Sequence, residues 1–329
     1  MSAWLLDVQD LCTEFHHPAG PLRALDGLSF TLAAGRTLGL MGESGGGKSA
    51  LARSLLRVLP DGGRITGGRV VFEGRDLCAL SEAQMQQVRG RAIAMIFQDP
   101  MSSLNPVLTI GRQIEQVLLQ HTGLSRPAAA ERAVELLAAV GLPAPRECAR
   151  SHAHRLSGGM RQRAVIAIAL ACEPRLLIAD EPTSALDVTV QAQILAQLRQ
   201  LQKARGMALL LISHDVGVIR QMCDDVAVLY AGRIVEQGRT ADLLAHPRMH
   251  YTQALLQSVP RLDHPPHRRL PVIDGQPPNP LHPPPGCRFA PRCASRSDPC
   301  HSLPPPMSPA GPHHFFACWH PVPVTGTPS

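Results

Sequence analysis

Leu38-Gly39-Leu40-Met41-Gly42-Glu43-Ser44-Gly45-Gly46-Gly47-Lys48-Ser49 decides the fold, together with the stretch Ala50 to Val58 that follows. The first four residues are a short apolar run that reads as a buried strand, and the last nine read as a helix. Between them stands G-x-x-x-x-G-K-S, and strand, loop and helix in that order are the context a phosphate-binding loop requires. The glycines let the backbone fold round a polyphosphate with its N–H groups turned inward. The helix start behind the loop adds a partial positive charge. Lys48 supplies a point charge for the β- and γ-phosphates, and Ser49 a hydroxyl ligand for Mg²⁺. A glycine-rich turn before an ordinary helix is the other reading, and it leaves the match at every fixed position unexplained. A nucleoside triphosphate with Mg²⁺ is therefore expected along Gly42, Glu43, Ser44, Gly45, Gly46, Gly47, Lys48 and Ser49.

The totals bound what surrounds this loop. The 329 residues allow two domains, or one with an appendage, and 44% hydrophobic against 18% charged residues indicate a real core. A net charge of +6 fits a polyanionic ligand or an anionic surface but is too diffuse to argue for DNA. The aromatic fraction of 3% lacks the stacking platforms that single-stranded nucleic acid needs. No segment approaches the ~20 apolar residues that span a bilayer. The N-terminus Met1-Ser2-Ala3-Trp4-Leu5-Leu6-Asp7 has neither the basic region nor the apolar stretch of a signal peptide. The chain is expected to stay in the cytosol, with any membrane association coming through a partner.

Residues 1–37 read as short strands, around 5–8 and 28–32, with Phe15 between them either free to stack on an adenine ring or buried in the core. More strand follows near 69–74. Ala92 to Phe97 is a strand ending at Gln98, whose carboxamide is placed to reach a metal and a water beyond the γ-phosphate. From Ser102 to Arg155 the pattern turns helical: Ile114, Val117 and Leu118 share one face, and Ser125 with Pro127 opens a second helix that Gly141 stops. This stretch reads as a helical subdomain inserted into the nucleotide-binding core.

Leu156-Ser157-Gly158-Gly159-Met160-Arg161-Gln162 opens the next helix. It is either a second anion cradle or a Ser N-cap followed by permissive glycines. Two cradles in one chain mean two nucleotides, or one nucleotide shared between the first cradle of one subunit and the second cradle of another. Leu176 to Ala179 is an apolar strand ending in Asp180-Glu181; Asp180 is placed to hold Mg²⁺ and Glu181 to polarise an attacking water. Ser184-Ala185-Leu186-Asp187 leads into a helix from Val188 to Ala204, and a plain N-cap is the other reading of Asp187. Ala208 to Ile212 is another buried strand, and His214 lies just beyond it, at the edge where ligands bind in such sheets. Residues 226–235 read as a hairpin turning at Ala231-Gly232.

Beyond Pro260 the composition shifts: 20 of the 31 prolines lie in residues 260–329. Such a segment makes no long helix or inner strand, so it is either disordered or tied down by something other than a hydrophobic core. Of nine cysteines, Cys287, Cys293, Cys300 and Cys318 crowd this tail. In a reducing compartment a metal site is favoured over disulfides. None of the gaps is the tight pair usual for structural zinc, and four thiolates suffice for a [4Fe–4S] cluster, round which Phe289, Phe315, Phe316 and Trp319 are expected to pack.

The ordered set resembles the ATP-binding cassette ATPases, and most closely the ATPase subunits of bacterial oligopeptide and dipeptide importers. It runs Gly42–Ser49, Gln98, Leu156–Gln162, Leu176–Glu181, Ser184–Asp187 and His214, across residues 1–245. The fold this implies is α/β: a P-loop NTPase (RecA-like) core, an N-terminal antiparallel β subdomain, an inserted helical subdomain at about 102–160 and a C-terminal Pro/Cys-rich extension. The division is 1–250 for the ATPase domain and 251–329 for the extension. The resemblance makes Ser157, Gly158 and Gly159 the family signature, with Asp187 beside the nucleotide and two subunits sandwiching two ATPs head to tail. It assigns adenine stacking to Phe15, Mg²⁺ to Ser49, Gln98 and Asp180, and catalysis to Lys48, Gln98, Glu181 and His214. It also makes the helical subdomain and the Gln98 loop the receiver of a transmembrane partner. His246–Thr252 and Gly286–Cys293 resemble the peptide-importer extension, whose four cysteines are associated with a [4Fe–4S] cluster. Arg155 departs from the Gln that relatives commonly carry there.

The function so implied is an ATP-hydrolysing importer subunit on the cytoplasmic face of the membrane. Its partners are a second ATPase, identical or paralogous, two permease subunits and, indirectly, a solute-binding protein; no nucleic acid is expected. Nickel, metallophore or glutathione import uses similar ATPases. A soluble cassette ATPase acting on nucleic acid or ribosomes usually carries two cassettes or a long coiled-coil insertion, and this chain has neither. A kinase is opposed by the signature and His214.

Overall fold

The structure, a computed structural model, describes residues 4–184, 186–259 and 271–323. Met1–Ala3 of the leader reading, Ala185 and the composition break at Pro260 lie outside the described residues.

Two long strands, β1 (Leu6–Phe15) and β2 (Leu22–Leu32), pair antiparallel, and Phe15 ends the first. The strands expected near 5–8 and 28–32 are thus the roots of longer ones. The central strand β3 (Thr37–Met41), buried at every residue, runs into the phosphate loop and α1 (Lys48–Leu56). β4 (Gly63–Phe72) and the short β5 (Arg75–Asp76) complete a four-stranded sheet of order β2-β1-β4-β5.

After α2 (Glu82–Val88), which starts with a capping box at Ser81 and Gln84, β6 (Ile93–Ile96) returns to the central sheet. The helical insertion follows: α3 (Pro100–Ser103), α4 (Ile110–His121), α5 (Arg126–Ala139) and α6 (Pro145–Arg150). Ser125 caps α5 as its position before Pro127 predicts, and Ile114 and Leu118 face inward while Val117 is only half-buried. Next come α7 (Gly158–Ala169), β7 (Leu176–Asp180), α8 (Val188–Arg205) and β8 (Ala208–Ile212), with Gly206 closing α8 in the left-handed conformation. α9 (Val216–Met222) leads to the hairpin β9 (Asp225–Tyr230) and β10 (Arg233–Arg239), turning at Ala231-Gly232 as expected.

The central sheet has the order β11-β12-β10-β9-β3-β8-β7-β6, and its strands β9, β3, β8, β7 and β6 are parallel. All-apolar runs such as Leu176–Ala179 and Ala208–Ile212 suit strands buried on both faces. One face packs against the antiparallel sheet and α1 through Leu51, Leu55, Leu40 and Ile212. The other face packs against the helical insertion.

The tail departs from its expectation of standing outside the core. After α10 (Thr240–Ala245) and α11 (His250–Gln257), residues 271–323 fold back on the cassette. Cys287, Phe289, Ala290, Cys293 and Cys300 belong to the same hydrophobic cluster as β9 and α7. A short helix α12 (Asp298–Ser302) precedes β11 (Ser308–Gly311) and β12 (His314–Phe316), and β12 pairs with β10 at the sheet edge. Pro309 sits in the outermost strand, where a missing N–H costs no ladder bond. Glu236, fully buried, accepts from the Arg248 and Met249 N–H groups at 2.6 and 3.1 Å and lies 2.8 Å from His314 Nε2. The proline-rich tail is therefore tied down by this buried carboxylate and by shared apolar packing.

Candidate nucleotide site

Sheet order assembles the site. β3, β8, β7 and β6 are neighbours, so the segments leaving their C-terminal ends emerge side by side. These segments carry the phosphate loop, His214, Asp180-Glu181 and Gln98 respectively.

In the phosphate loop, glycine is required at two positions. Gly42 has φ +149°, and a Cβ there would sit 2.1 Å from the Leu229 carbonyl oxygen. Gly47 has φ +107° and the Ala24 carbonyl 2.7 Å from the same imagined atom. The loop is thus pressed between the β9 backbone and β2. Lys48 Nζ donates to the carbonyls of Gly42 and Glu43, 2.8 Å each. Burial lowers its pKa below the ordinary lysine value, against the pull of Glu181, Asp180 and Glu43. Gly47 offers α1 no side-chain cap, so the first-turn N–H groups lack a capping side chain.

Asp180 is buried, and its Oδ1 has no hydrogen-bond partner. Burial raises its pKa; the Ser49 hydroxyl, hydrogen-bonded to it, works the other way. A buried carboxylate oxygen without a donor, beside a hydroxyl, offers hard oxygen ligands, so Asp180 and Ser49 fit Mg²⁺. Glu181 stands in the left-handed region at φ 48°, with its N–H donating to the Ile212 carbonyl at 3.0 Å. Its carboxylate lies between two side chains: Gln98 Nε2 donates at 2.9 Å, and His214 Nδ1 is 3.1 Å from the other oxygen. Sequence reading picks out all three residues singly; their convergence on one carboxylate comes from strand order.

The remaining expected residues lie elsewhere. Ser157 caps α7, accepting from the Met160 N–H at 3.3 Å, and Asp187 caps α8, accepting from Val190 at 3.0 Å. A Cβ on Gly158 would meet Leu186 at ordinary contact distance, but a Cβ on Gly159 would lie 2.8 Å from Val190 Cγ1. Within one chain, then, the glycine at 159 answers to Val190. Phe15 is half-buried, its ring edge over Gly63, where a Cβ would come within 2.7 Å.

Cys287, Cys293 and Cys300 are buried, Cys318 is half-buried, and all four are free thiols. Burial pushes Cys318 up to about 11, and the other three thiols act on it electrostatically in the same direction. The four therefore converge, yet among the described residues no group of three or more His, Cys, Asp or Glu side chains is arranged to hold a metal ion. The [4Fe–4S] expectation is not met by this arrangement. Phe289 and Phe316 are buried as expected, but Phe315 and Trp319 are exposed, and Trp319 Nε1 donates to the Leu303 carbonyl.

Sequence reading missed Arg292, whose guanidinium binds the Glu43 carboxylate at 2.6 and 3.0 Å, and Arg288, which bonds Asp26 and the Ala231 carbonyl. Asp26 also accepts from Arg233 at 2.7 Å. Burial works against its charge, but the Arg233 hydrogen bond and the charges of Arg288 and Arg233 hold the carboxyl below its usual range. No local pattern marks such long-range pairs.

Comparison with known proteins places the geometry. Residues 25–184 match the model of the ABC transporter family, and residues 235–300 that of the oligopeptide/dipeptide transporter C-terminal region. The chain is 50% identical over 316 residues to the probable peptide ABC transporter ATP-binding protein y4tR of Sinorhizobium fredii, covering 96% of this chain and 94% of that protein. It is 46% identical over 318 residues to the oligopeptide transport ATP-binding protein OppD of Salmonella typhimurium, covering 97% and 94%. The dimeric post-hydrolysis structure of the ATP-binding cassette MJ0796 with ADP and Pi superposes with a TM-score of 0.65 at 26% identity, covering 71% of this chain and 98% of that one. On this similarity, nearly end to end, the chain belongs to the ABC transporter ATPases, in the oligopeptide/dipeptide branch.

Proposed function

We propose that the chain is the ATP-hydrolysing subunit of a peptide importer. It would couple ATP binding and hydrolysis to uptake of di- or oligopeptides through membrane permeases. The observation that carries this reading is the full-length likeness to peptide-transport ATP-binding proteins, extending through the C-terminal region. Among the described residues no helix is long and apolar enough to cross a membrane; the membrane role proposed here runs through permease partners. Exposed Met101 and Val107, in and after α3 beyond Gln98, suit that contact.

The division of labour within the site follows from its chemistry. Lys48 and the loop N–H groups would bind phosphate, and Ser49 and Asp180 would hold Mg²⁺, with Gln98 as the further ligand the resemblance implies. When bound, Mg²⁺ would supply charge neutralisation. Glu181 accepts the proton of the attacking water, while Gln98 and His214 fix its carboxylate and His214 faces the γ-phosphate. Phe15 is the adenine platform. Ser157, Gly158, Gly159 and Asp187 would act on the nucleotide of a second ATPase subunit, identical or paralogous. The complex would include two permeases fed by a solute-binding protein, with this chain peripheral on the cytoplasmic side and 251–329 serving as its extension.

Co-purification from membranes is the direct test: two permease subunits should accompany the chain, and peptide uptake should stop when it is removed. Uptake of nickel or glutathione instead would redirect the substrate. For the tail, a cluster of the kind the branch implies would use Cys287, Cys293, Cys300 and Cys318 as its ligands. Protein purified without oxygen should be brown, with absorption near ~400 nm. Zinc without iron, or no metal with two disulfides, would reject the cluster.

A further inference from the structure

Glu43 fills a variable position of the phosphate loop, yet each of its polar groups is held. Its N–H donates to the Tyr251 hydroxyl at 2.8 Å, its carbonyl accepts from Lys48, and its carboxylate takes the two-pronged bond from Arg292. Arg292 is held more firmly still. Its side chain is 4% exposed. Nε donates to the Asp274 carbonyl at 2.9 Å, Nη2 to the Ile273 carbonyl at 3.0 Å and Nη1 to the Tyr230 hydroxyl at 3.2 Å. The guanidinium also lies over the rings of Tyr230 and Phe289, about 6 Å from each centroid. A planar fork used at every nitrogen is pre-organised, and lysine cannot reproduce it.

We propose that Arg292 is a positioning residue for nucleotide binding, acting through Glu43 on the phosphate loop. Two physical effects follow from the geometry. The first is placement: Glu43 is pinned to the end of β9 and to α11, and its carbonyl in turn holds the Lys48 ammonium. The second is charge. The Glu43 carboxylate is close enough to act on Lys48, so left unpaired it would repel the incoming polyphosphate. Arg292 neutralises it from the side away from solvent. Segment 271–293 thus becomes part of the apparatus that sets affinity for ATP, without touching ATP.

The inference rests on reading 42–49 as the nucleotide site, and the experiment separates the two. With full-length protein and Mg·ATP as probe, Lys48→Ala should abolish binding; if it does not, the site reading fails and the proposal with it. Given that control, Arg292→Gln should weaken ATP binding and raise KM by about ten-fold, the scale of a lost charged hydrogen bond, with kcat at saturation changed by less than about two-fold. In a Glu43→Gln background the same change should cost less than about two-fold, because the carboxylate to be neutralised is gone. Arg292→Lys keeps the charge but loses the fork, and should fall between; it carries the test should Arg292→Gln fail to fold. Unchanged ATP affinity in the foldable Arg292 variant, or equal losses with and without Glu43→Gln, would overturn the proposal.

Discussion

Glu181 keeps its carboxylate between an amide donor and an imidazole, on a backbone turned into the left-handed region. Such a conformation costs of order 1–3 kcal/mol and persists where the surroundings enforce it. Here the enforcement is the N–H bond to Ile212 and the two side chains. Glu181→Gln keeps size and hydrogen bonding and loses the base, so turnover should fall by ~10²–10⁴ with ATP still bound; single-turnover hydrolysis and nucleotide retention measure it. Asp180 shows the opposite bargain. Its folded pKa lies above the unfolded value, so its contribution to stability is full at low pH and is lost as pH rises through the folded pKa. At neutral pH the buried charge is a cost to the empty protein. Asp180→Asn should therefore raise the Tm of nucleotide-free protein while removing Mg²⁺-dependent hydrolysis; an unchanged or lower Tm would count against the burial argument. These residues were legible in sequence because each follows an apolar strand directly. The Glu43–Arg292 and Asp26–Arg288 pairs were not, since only folding brings such distant positions together.

Helix starts carry the second set of proposed site residues. Ser157 and Asp187 both act as N-caps in the isolated chain, each worth about 1 kcal/mol to its helix. That role and a part in a shared nucleotide site are compatible. The tight contact of Gly159 with Val190 makes a bulky residue there a poor probe, because it would disturb the subunit itself. Gly158 has room for a side chain, with Leu186 3.6 Å from an added Cβ. If the proposed shared site is right, Gly158→Asp would set a carboxylate against the phosphate of the neighbouring subunit's nucleotide, and should block closure while leaving the variant subunit's own ATP binding intact. Mixing it with Lys48→Ala in a homodimer should restore part of the ATPase rate, since one composite site then carries both lesions and the other none. With a paralogous partner the two changes belong in opposite subunits. No recovery in any pairing would leave the cap as the sole role. Helix boundaries here were readable from Ser125, Gly206 and the apolar spacing. The contact between α7 and the start of α8 depends on packing, which spacing does not encode.

At the scale of the whole molecule, the proline-rich tail is where sequence and structure part most. Low apolar content predicted a module apart from the core, but Phe289, Cys287 and Ala290 borrow the cassette's own packing. Glu236 anchors this arrangement with two backbone donors and His314. Glu236→Ala leaves these donors unanswered in a buried place, a loss on the order of 1–3 kcal/mol for each such group. The expected result is a lower Tm and a tail cut early by protease; a tail as resistant as wild type would show that the apolar contacts suffice.

The seat of β12 against β10 has a consequence for how the protein is made. A growing chain completes β10 at Arg239, paired on one side with β9, but has nothing to lay along its other edge until Phe316 has been added. Through all of that synthesis the sheet presents an open row of backbone groups, the kind of edge on which chains join to one another. Production of this subunit is therefore exposed to stalling and to premature stops between those residues. The products would hold every phosphate-binding residue and still be prone to clump.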